Sequence, residues 1–182
     1  KDVLSYLRLL VNPSDNLSFI RAVNEPARGI GKVSLEHLQS FAESHEISLM
    51  QACERVAFVN AIKGKAAAGL RDFGKLMTDL RKSLELPPHE IIKLVIDRSG
   101  YRAMLQSTGD EEDADRLANI EELVSAAKQF AEQNAEADLL AFLERAILAE
   151  RSERLGDRFD LAWRGPNVAQ DAADGVALLD CY

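Results

Sequence analysis

The amino-acid sequence predicts an all-α protein, arranged as a multi-helix orthogonal bundle, and three observations carry this prediction. Apolar residues recur every three to four positions through most of the chain, which is the period of helices that bury one face. The breaks between these stretches coincide with proline, at Pro13, at Pro26 and at the Pro87-Pro88 pair. Only one segment, residues 175–179, has the pattern of a β-strand.

The first two predicted helices lead into a glycine-containing turn. The first ends at Asn12-Pro13 and carries an apolar stripe made of Val3, Leu4, Leu7, Leu10 and Val11. Ser14 or Asp15 can cap the second helix, because their side-chain oxygens accept hydrogen bonds from unpaired N–H groups at a helix start. The second helix carries the apolar residues Leu17, Ile20 and Val23.

The same spacing predicts further helices after the turn. The third predicted helix carries the apolar residues Leu35, Leu38, Phe41 and Ala42. The fourth, which Ser48 can cap, carries Leu49, Ala52, Cys53 and Val56. Longer stretches follow over residues 70–84, 91–96, 101–105, 117–130 and 139–148. Because Cys53 lies on an apolar face, we interpret it as a packed thiol. The pattern decays after residue 150, so we predict a helical domain over residues 1–150 and a linker segment over residues 151–182.

Composition narrows the class of protein. The chain has 182 residues, 47% of them apolar and 29% charged, as in ordinary soluble domains. Two cysteines cannot form a disulfide framework, and no apolar run approaches the roughly 20 residues of a membrane-spanning helix, so we expect a cytoplasmic protein. Lys1 opens directly on an amphipathic helix without an initial Met, which is typical of a fragment.

The net charge of −8 hides an asymmetry between the two halves. Residues 1–82 carry 12 Lys and Arg against 9 Asp and Glu, a net of +3, whereas residues 83–182 carry 10 against 21, a net of −11. An acidic protein can still bind DNA weakly through one local basic site, with strong salt dependence. The basic half is the half that contains the glycine turn.

That turn is the candidate anion site. Its two glycines allow a tight turn, and the helix that starts at about residue 32 leaves its first N–H groups unpaired. A helix N-terminus flanked by two cations attracts an anion such as a nucleic-acid phosphate. The predicted site residues are Arg28, Gly29, Ile30, Gly31 and Lys32. An ordinary helical hairpin, whose glycines only close a turn, is the alternative.

A second loop is a weaker copy of the first. Lys63 and Lys65 flank Gly64 at another predicted helix start, and we include these three residues as candidate DNA contacts. The loop is not a Walker loop, because the upstream glycine is missing and Ala66 stands where Ser or Thr would bind Mg²⁺. A solvated helix start is the alternative.

The sequence predicts no catalytic residue and no metal site. His37, His45 and His89 are scattered, without Cys/His metal-ligand spacing. The acidic run at residues 110–113 lacks the spacing and central glycine of a calcium loop, and is interpreted as a solvated loop with helix-starting charges. No nucleophile elbow or catalytic-triad signature occurs.

Several segments, in the right order, resemble one family. Residues 1–15 look like the entry to the 2B subdomain of UvrD/PcrA/Rep-type superfamily 1 DNA helicases. Residues 19–31 match that family's run Arg-x-x-Asn-x-Pro-x-Arg-Gly-Ile-Gly, and residues 99–105, 116–123 and 140–144 resemble later landmarks. The resemblance covers roughly residues 1–150. Residues 176–182 stand where the family returns to its motor domain, with Asp180-Cys181-Tyr182 in place of its Thr/His pattern.

The resemblance implies a regulatory subdomain that contacts duplex DNA within an ATP-dependent 3′–5′ DNA helicase of repair or replication. Residues 29–32 would form a helix-hairpin-helix-like element that grips duplex phosphates without sequence preference. ATP and Mg²⁺ would belong to the parent's motor domains, which would also be partners of this chain, and residues 151–182 would be the return segment. No cofactor is expected in the fragment. A helical protein-interaction adaptor and the insertion domain of a RecB/AddA-like helicase–nuclease are the alternatives.

Overall fold

The computed structural model describes residues 1–134 and 138–154, and this part of the chain is entirely helical, as predicted. A short 3₁₀ turn, Val56–Phe58, lies between α4 and α5. The α-helices of the described residues are α1 (Asp2–Val11), α2 (Asn16–Asn24), α3 (Lys32–Ser44), α4 (Leu49–Glu54), α5 (Gly64–Arg81), α6 (Pro88–Arg98), α7 (Tyr101–Thr108), α8 (Glu111–Gln133) and α9 (Leu139–Arg154).

The predicted caps set the helix starts. Asp15 caps α2, since its carboxylate accepts a hydrogen bond from the N–H of Ser18 at 3.0 Å. Ser48 and Gln51 form a reciprocal capping box at α4. The acidic run at residues 110–113 supplies both the cap and the first turn of α8, where negative charge complements the helix dipole. These starts are confirmed.

The core is organised around α1, which packs on α2, α5, α6 and α9. The side chains of Tyr6, Leu7 and Leu9 are fully buried on its inner face. The Phe73 ring of α5 lies 6.0 Å from the Tyr6 ring and 5.5 Å, edge-on, from the Phe19 ring of α2. The helices α1, α2 and α5 therefore meet at one cluster of aromatic rings in the core.

The later helices complete the same core. α6 is amphipathic, and its residues Ile91, Ile92, Val95 and Ile96 are fully buried. α8 packs on α6 and α7, and α9 packs on α1 and α6. Cys53 is buried, and its thiol donates to the carbonyl oxygen of Leu70 at 3.0 Å. Burial raises the pKa of this thiol to about 12, so it is an inert packed group.

Two sequence expectations differ from the structure. Leu17 was expected on the buried face of α2, but its side chain is 82% exposed. The buried face is formed by Phe19, Ala22 and Val23, and a residue two positions from Phe19 points about 200° away around a helix. The long α5 was expected to reach Leu84 but ends at Arg81. Beyond Arg81 the backbone N–H groups bond to carbonyl oxygens three residues earlier, as in a 3₁₀-helix, rather than four residues earlier.

The end of the predicted domain lies near the limit of the described chain. α9 runs to Arg154, beyond the predicted boundary at residue 150. The predicted strand at residues 175–179, and all of the return segment after residue 154, lie outside the described residues. Within the described part, no helix is both long enough and apolar enough to cross a membrane.

Candidate nucleic-acid interface

The turn between α2 and α3 presents the start of α3 to solvent. Gly29 has a left-handed φ of 71°, which only glycine adopts without strain. Gly31 is the N-cap of α3, no side chain caps this end, and the first helical hydrogen bond runs from the N–H of Leu35 to the carbonyl of Gly31. The leading N–H groups of α3 therefore have no capping side chain and carry the positive end of the helix dipole.

Lys32 is the cation that this turn directs outward. Its side chain is 90% exposed, and its ammonium lies 3.9 Å from a carboxylate oxygen of Glu36, one turn along the same helix. Such an exposed pair is weak and is screened by salt. The Lys32 ammonium can therefore exchange Glu36 for a phosphate at little cost.

The second loop shares two of these features, a left-handed glycine and an uncapped helix start. Lys63 is the N-cap of α5, Gly64 has a left-handed φ of 59°, and no side chain caps this helix start either. Lys63, Gly64 and Lys65 are all exposed. The two predicted anion sites are thus two uncapped helix N-termini, each with adjacent lysine.

The structure brings these two loops into contact. The aliphatic part of Lys65 lies over Gly29, so that a Cβ built on Gly29 would come within 2.6 Å of Lys65 Cε and 2.8 Å of Cδ. One turn further along α5, a Cβ built on Gly69 would lie 2.5 Å from the carbonyl oxygen of Arg28 and 3.2 Å from Cγ1 of Ile30. The absence of a side chain at Gly69 lets the turn rest directly on α5.

Ile30 anchors the turn to the protein. Its side chain is half-buried and packs against the core beside Gly69. Of the Gly-Ile-Gly run, the exposed residues are Gly29 and Gly31. The main chain of the turn is therefore its most accessible part.

Arg28 is placed differently from the sequence expectation. We expected its guanidinium beside Lys32 at the phosphate, but the structure turns it into the protein. Its Nη1 donates to the carbonyl oxygens of Ala22 (3.0 Å), Val23 (3.1 Å) and Pro26 (2.9 Å). Its Nη2 donates to the Tyr6 hydroxyl (2.6 Å) and to the carbonyl oxygen of Ser99 (3.4 Å). The guanidinium carbon also lies 5.1 Å from the centre of the Phe73 ring.

Tyr6 is a residue of this region that the sequence analysis did not single out. Its hydroxyl donates to the carbonyl oxygen of Glu25 at 2.6 Å. Burial raises the pKa of Tyr6 to about 12, against the opposing charge of Arg28, so the hydroxyl remains a donor near neutral pH. Gly69 was also missed, although a glycine inside a helical pattern is a signal for close backbone approach.

A second polar cluster lies at the start of α1, where the Asp2 carboxylate accepts hydrogen bonds from Arg21 Nε (2.8 Å) and the Tyr101 hydroxyl (3.0 Å). Burial opposes the charged form, but these two hydrogen bonds lower the pKa of Asp2 below its usual value. Among the described residues, no group of three or more His, Cys, Asp and Glu side chains could hold a metal ion. This cluster is a structural tie between α1, α2 and α7.

Comparison with known proteins places the chain in a family. Residues 1–160 match the UvrD-like helicase C-terminal domain, so the chain belongs to that family. It is 38% identical over 152 residues to the ATP-dependent DNA helicase PcrA of Bacillus subtilis, covering 82% of this chain and 20% of the relative. It is likewise 38% identical over 152 residues to DNA helicase II of Escherichia coli, covering 81% of this chain and 21% of the relative. The chain spans about a fifth of these relatives.

Proposed function

We propose that this chain is the 2B-type, duplex-contacting and regulatory part of an ATP-dependent 3′–5′ DNA helicase. Membership of the UvrD-like family and the names of the two helicase relatives support the general class. The observation that carries the specific proposal is the contact between Lys65 and Gly29, which joins two uncapped helix N-termini into one surface.

The proposed interaction is with the phosphate backbone. Main-chain N–H groups at the starts of α3 and α5 donate to phosphate oxygens, and the ammonium groups of Lys32, Lys63 and Lys65 neutralise charge nearby. None of these groups needs to reach a base edge, so binding is indifferent to sequence and falls steeply with salt. Two helix starts side by side match two phosphates better than either alone.

In this proposal, ATP binding and hydrolysis belong to other parts of the parent helicase. ATP and Mg²⁺ are bound by the motor domains, and this chain contributes the grip on the duplex ahead of them. We expect the purified chain to leave ATP unhydrolysed with or without DNA, because it carries no Walker loop. Repair or replication is the process in which we place the parent.

Gly31→Asp is a sharp test because the structure predicts that it leaves the fold intact. Gly31 has a φ of −83° and a Cβ there would meet nothing within 4 Å, so neither strain nor a clash results. Aspartate is also a favoured N-cap and complements the helix dipole, so the melting temperature should stay level or rise. The same carboxylate occupies the anion site and should reduce duplex binding at least tenfold in fluorescence anisotropy at low salt.

A charge-matched control separates the local effect from the change in net charge. Gln129→Glu also replaces an uncharged residue by an anion, on an exposed position of α8, which packs on α6 and α7. It should leave duplex affinity within about twofold of wild type, since an exposed distant charge is screened. If Gly31→Asp is folded and binds duplex as well as wild type, the turn is only a turn and the protein-interaction adaptor becomes the better hypothesis.

A further inference from the structure

The guanidinium of Arg28 joins four separate parts of the fold. Two of its acceptors, the carbonyl oxygens of Ala22 and Val23, are among the last of α2, where helical partners run out. A third is the carbonyl of Pro26 within the turn, and a fourth is the carbonyl of Ser99 between α6 and α7. A cation at a helix C-terminus also complements the negative end of the dipole.

The Tyr6 hydroxyl extends this network to α1. It accepts from Arg28 Nη2 at 2.6 Å and donates to the carbonyl of Glu25 at 2.6 Å, so it holds the turn at a second point. The Tyr6 side chain is fully buried, and its ring lies 6.0 Å from the Phe73 ring. The position of the hydroxyl is therefore set by the aromatic core.

We infer that Arg28 and Tyr6 are positioning residues that hold the turn at residues 29–32 in its binding geometry before DNA arrives, and that Arg28 makes no phosphate contact. The inference rests on the proposed function for its consequence on binding. Its physical basis is preorganisation: a turn already ordered loses less conformational entropy on binding than one that must be ordered by the ligand. The network holds the chain at residues 25–28, and the Gly69 contact holds it at Arg28 and Ile30.

The chemistry of arginine matters here beyond its charge. A planar guanidinium presents donors in a fixed fork and can serve several carbonyls at once, whereas a lysine ammonium is a compact point charge with three donors. Arg28→Lys therefore keeps the charge but cannot reproduce the five contacts of Nη1 and Nη2. If Arg28 contacted phosphate instead, the lysine variant would retain most of the binding.

The test combines Arg28→Lys, Tyr6→Phe and a matched control, Tyr101→Phe. Tyr6→Phe removes one hydroxyl and no charge, so it cannot act through a lost phosphate contact. Tyr101→Phe makes the same change at a hydroxyl that donates to the Asp2 carboxylate of α1 and not to the turn. Duplex affinity is measured by fluorescence anisotropy over a series of salt concentrations, and backbone order parameters of residues 29–32 are measured by ¹⁵N relaxation.

We expect Arg28→Lys and Tyr6→Phe to weaken duplex binding about five- to tenfold and to lower the backbone order parameters of residues 29–32, because each variant loses more than one hydrogen bond that holds the turn. Tyr101→Phe should change neither quantity. Circular dichroism and melting curves identify any variant that has lost its fold. Should Arg28→Lys melt below the assay temperature, Tyr6→Phe alone carries the test.

Two results would overturn the inference. One is wild-type binding in both Arg28→Lys and Tyr6→Phe, and the other is unchanged backbone order parameters at residues 29–32 in folded Tyr6→Phe. Failure of the proposed function is a different outcome, in which the wild-type chain itself shows no salt-dependent duplex binding. In that case the order parameters still decide whether Arg28 and Tyr6 hold the turn.

Discussion

Lys65 lies across Gly29, and this contact joins two loops that are distant in sequence. A Cβ at position 29 would come within 2.6 Å of Lys65 Cε, so the lysine stem covers the space that a side chain would occupy. Neither loop carries a side-chain cap on its helix. The surface that we propose for phosphate binding is therefore composite, and neither loop alone contains it.

Serine substitutions at the two glycines of the turn should have opposite effects on stability. Gly29→Ser places a side chain at a φ of 71° and should lower the free energy of unfolding by about 1 kcal/mol. The Lys65 stem is flexible and can move aside, so backbone strain is the main cause. Gly31→Ser, at a φ of −83° with open space, supplies an N-cap and should raise stability by a few tenths of a kcal/mol. Urea unfolding of both variants measures the difference, and equal losses would contradict it.

Alanine substitutions at two glycines of α5 should also differ in sign. Gly69→Ala puts a methyl group 2.5 Å from a main-chain oxygen of Arg28, which cannot move without shifting the turn, and should cost about 1–2 kcal/mol. Gly74→Ala meets Cys53 Sγ at 3.7 Å and main-chain atoms of Cys53 and Glu54 at 4.0 Å, all ordinary contacts, and should gain up to about 1 kcal/mol from helix propensity. Thermal and urea unfolding check both. A stabilised Gly69→Ala variant would mean that the turn does not rest on α5 as described.

Lys32→Ala should weaken duplex binding mildly and leave the fold unchanged. The side chain is 90% exposed and its pair with Glu36 is long, so the free energy of unfolding should change by less than about 0.5 kcal/mol. Loss of one phosphate contact should reduce the slope of log affinity against log salt by about 0.9. Arg116→Ala is the control, since that exposed arginine is paired with Glu112 on α8. An unchanged slope in Lys32→Ala would exclude its contact with phosphate.

Alkaline pH should destabilise the fold through Tyr6. Burial raises its pKa from 10.0 to about 12, so the folded state keeps a proton that the unfolded state has lost between these values. Stability from this group is complete below pH 10 and is lost as pH rises through 12, an effect on the order of 2 kcal/mol. Urea unfolding at pH 9 and pH 11 should show the loss in wild type and a smaller one in Tyr6→Phe. Identical losses in the two proteins would contradict the assignment to Tyr6.

Local features of this protein were predictable from sequence because they depend on residues close together in the chain. A cap on α2 at Ser14 or Asp15, the cap at Ser48 and the start of α3 at about Lys32 were predicted, since a cap bonds the helix that immediately follows it. Both helix-start loops with lysine were likewise visible in the sequence. The buried face of α2 was predicted wrongly at Leu17, because the apolar positions of this nine-residue helix fit more than one stripe.

The sequence by itself thus determined an all-α chain with two glycine-containing loops at helix starts. Only the tertiary structure decided that these loops meet, because the contact of Lys65 and Gly69 with the turn depends on where α5 packs. It also decided the direction of Arg28. A guanidinium beside a glycine turn can donate its hydrogen bonds to phosphate or to carbonyl oxygens. In this fold the end of α2 and the buried Tyr6 hydroxyl lie within hydrogen-bonding distance of Arg28, so its donors bond to the protein.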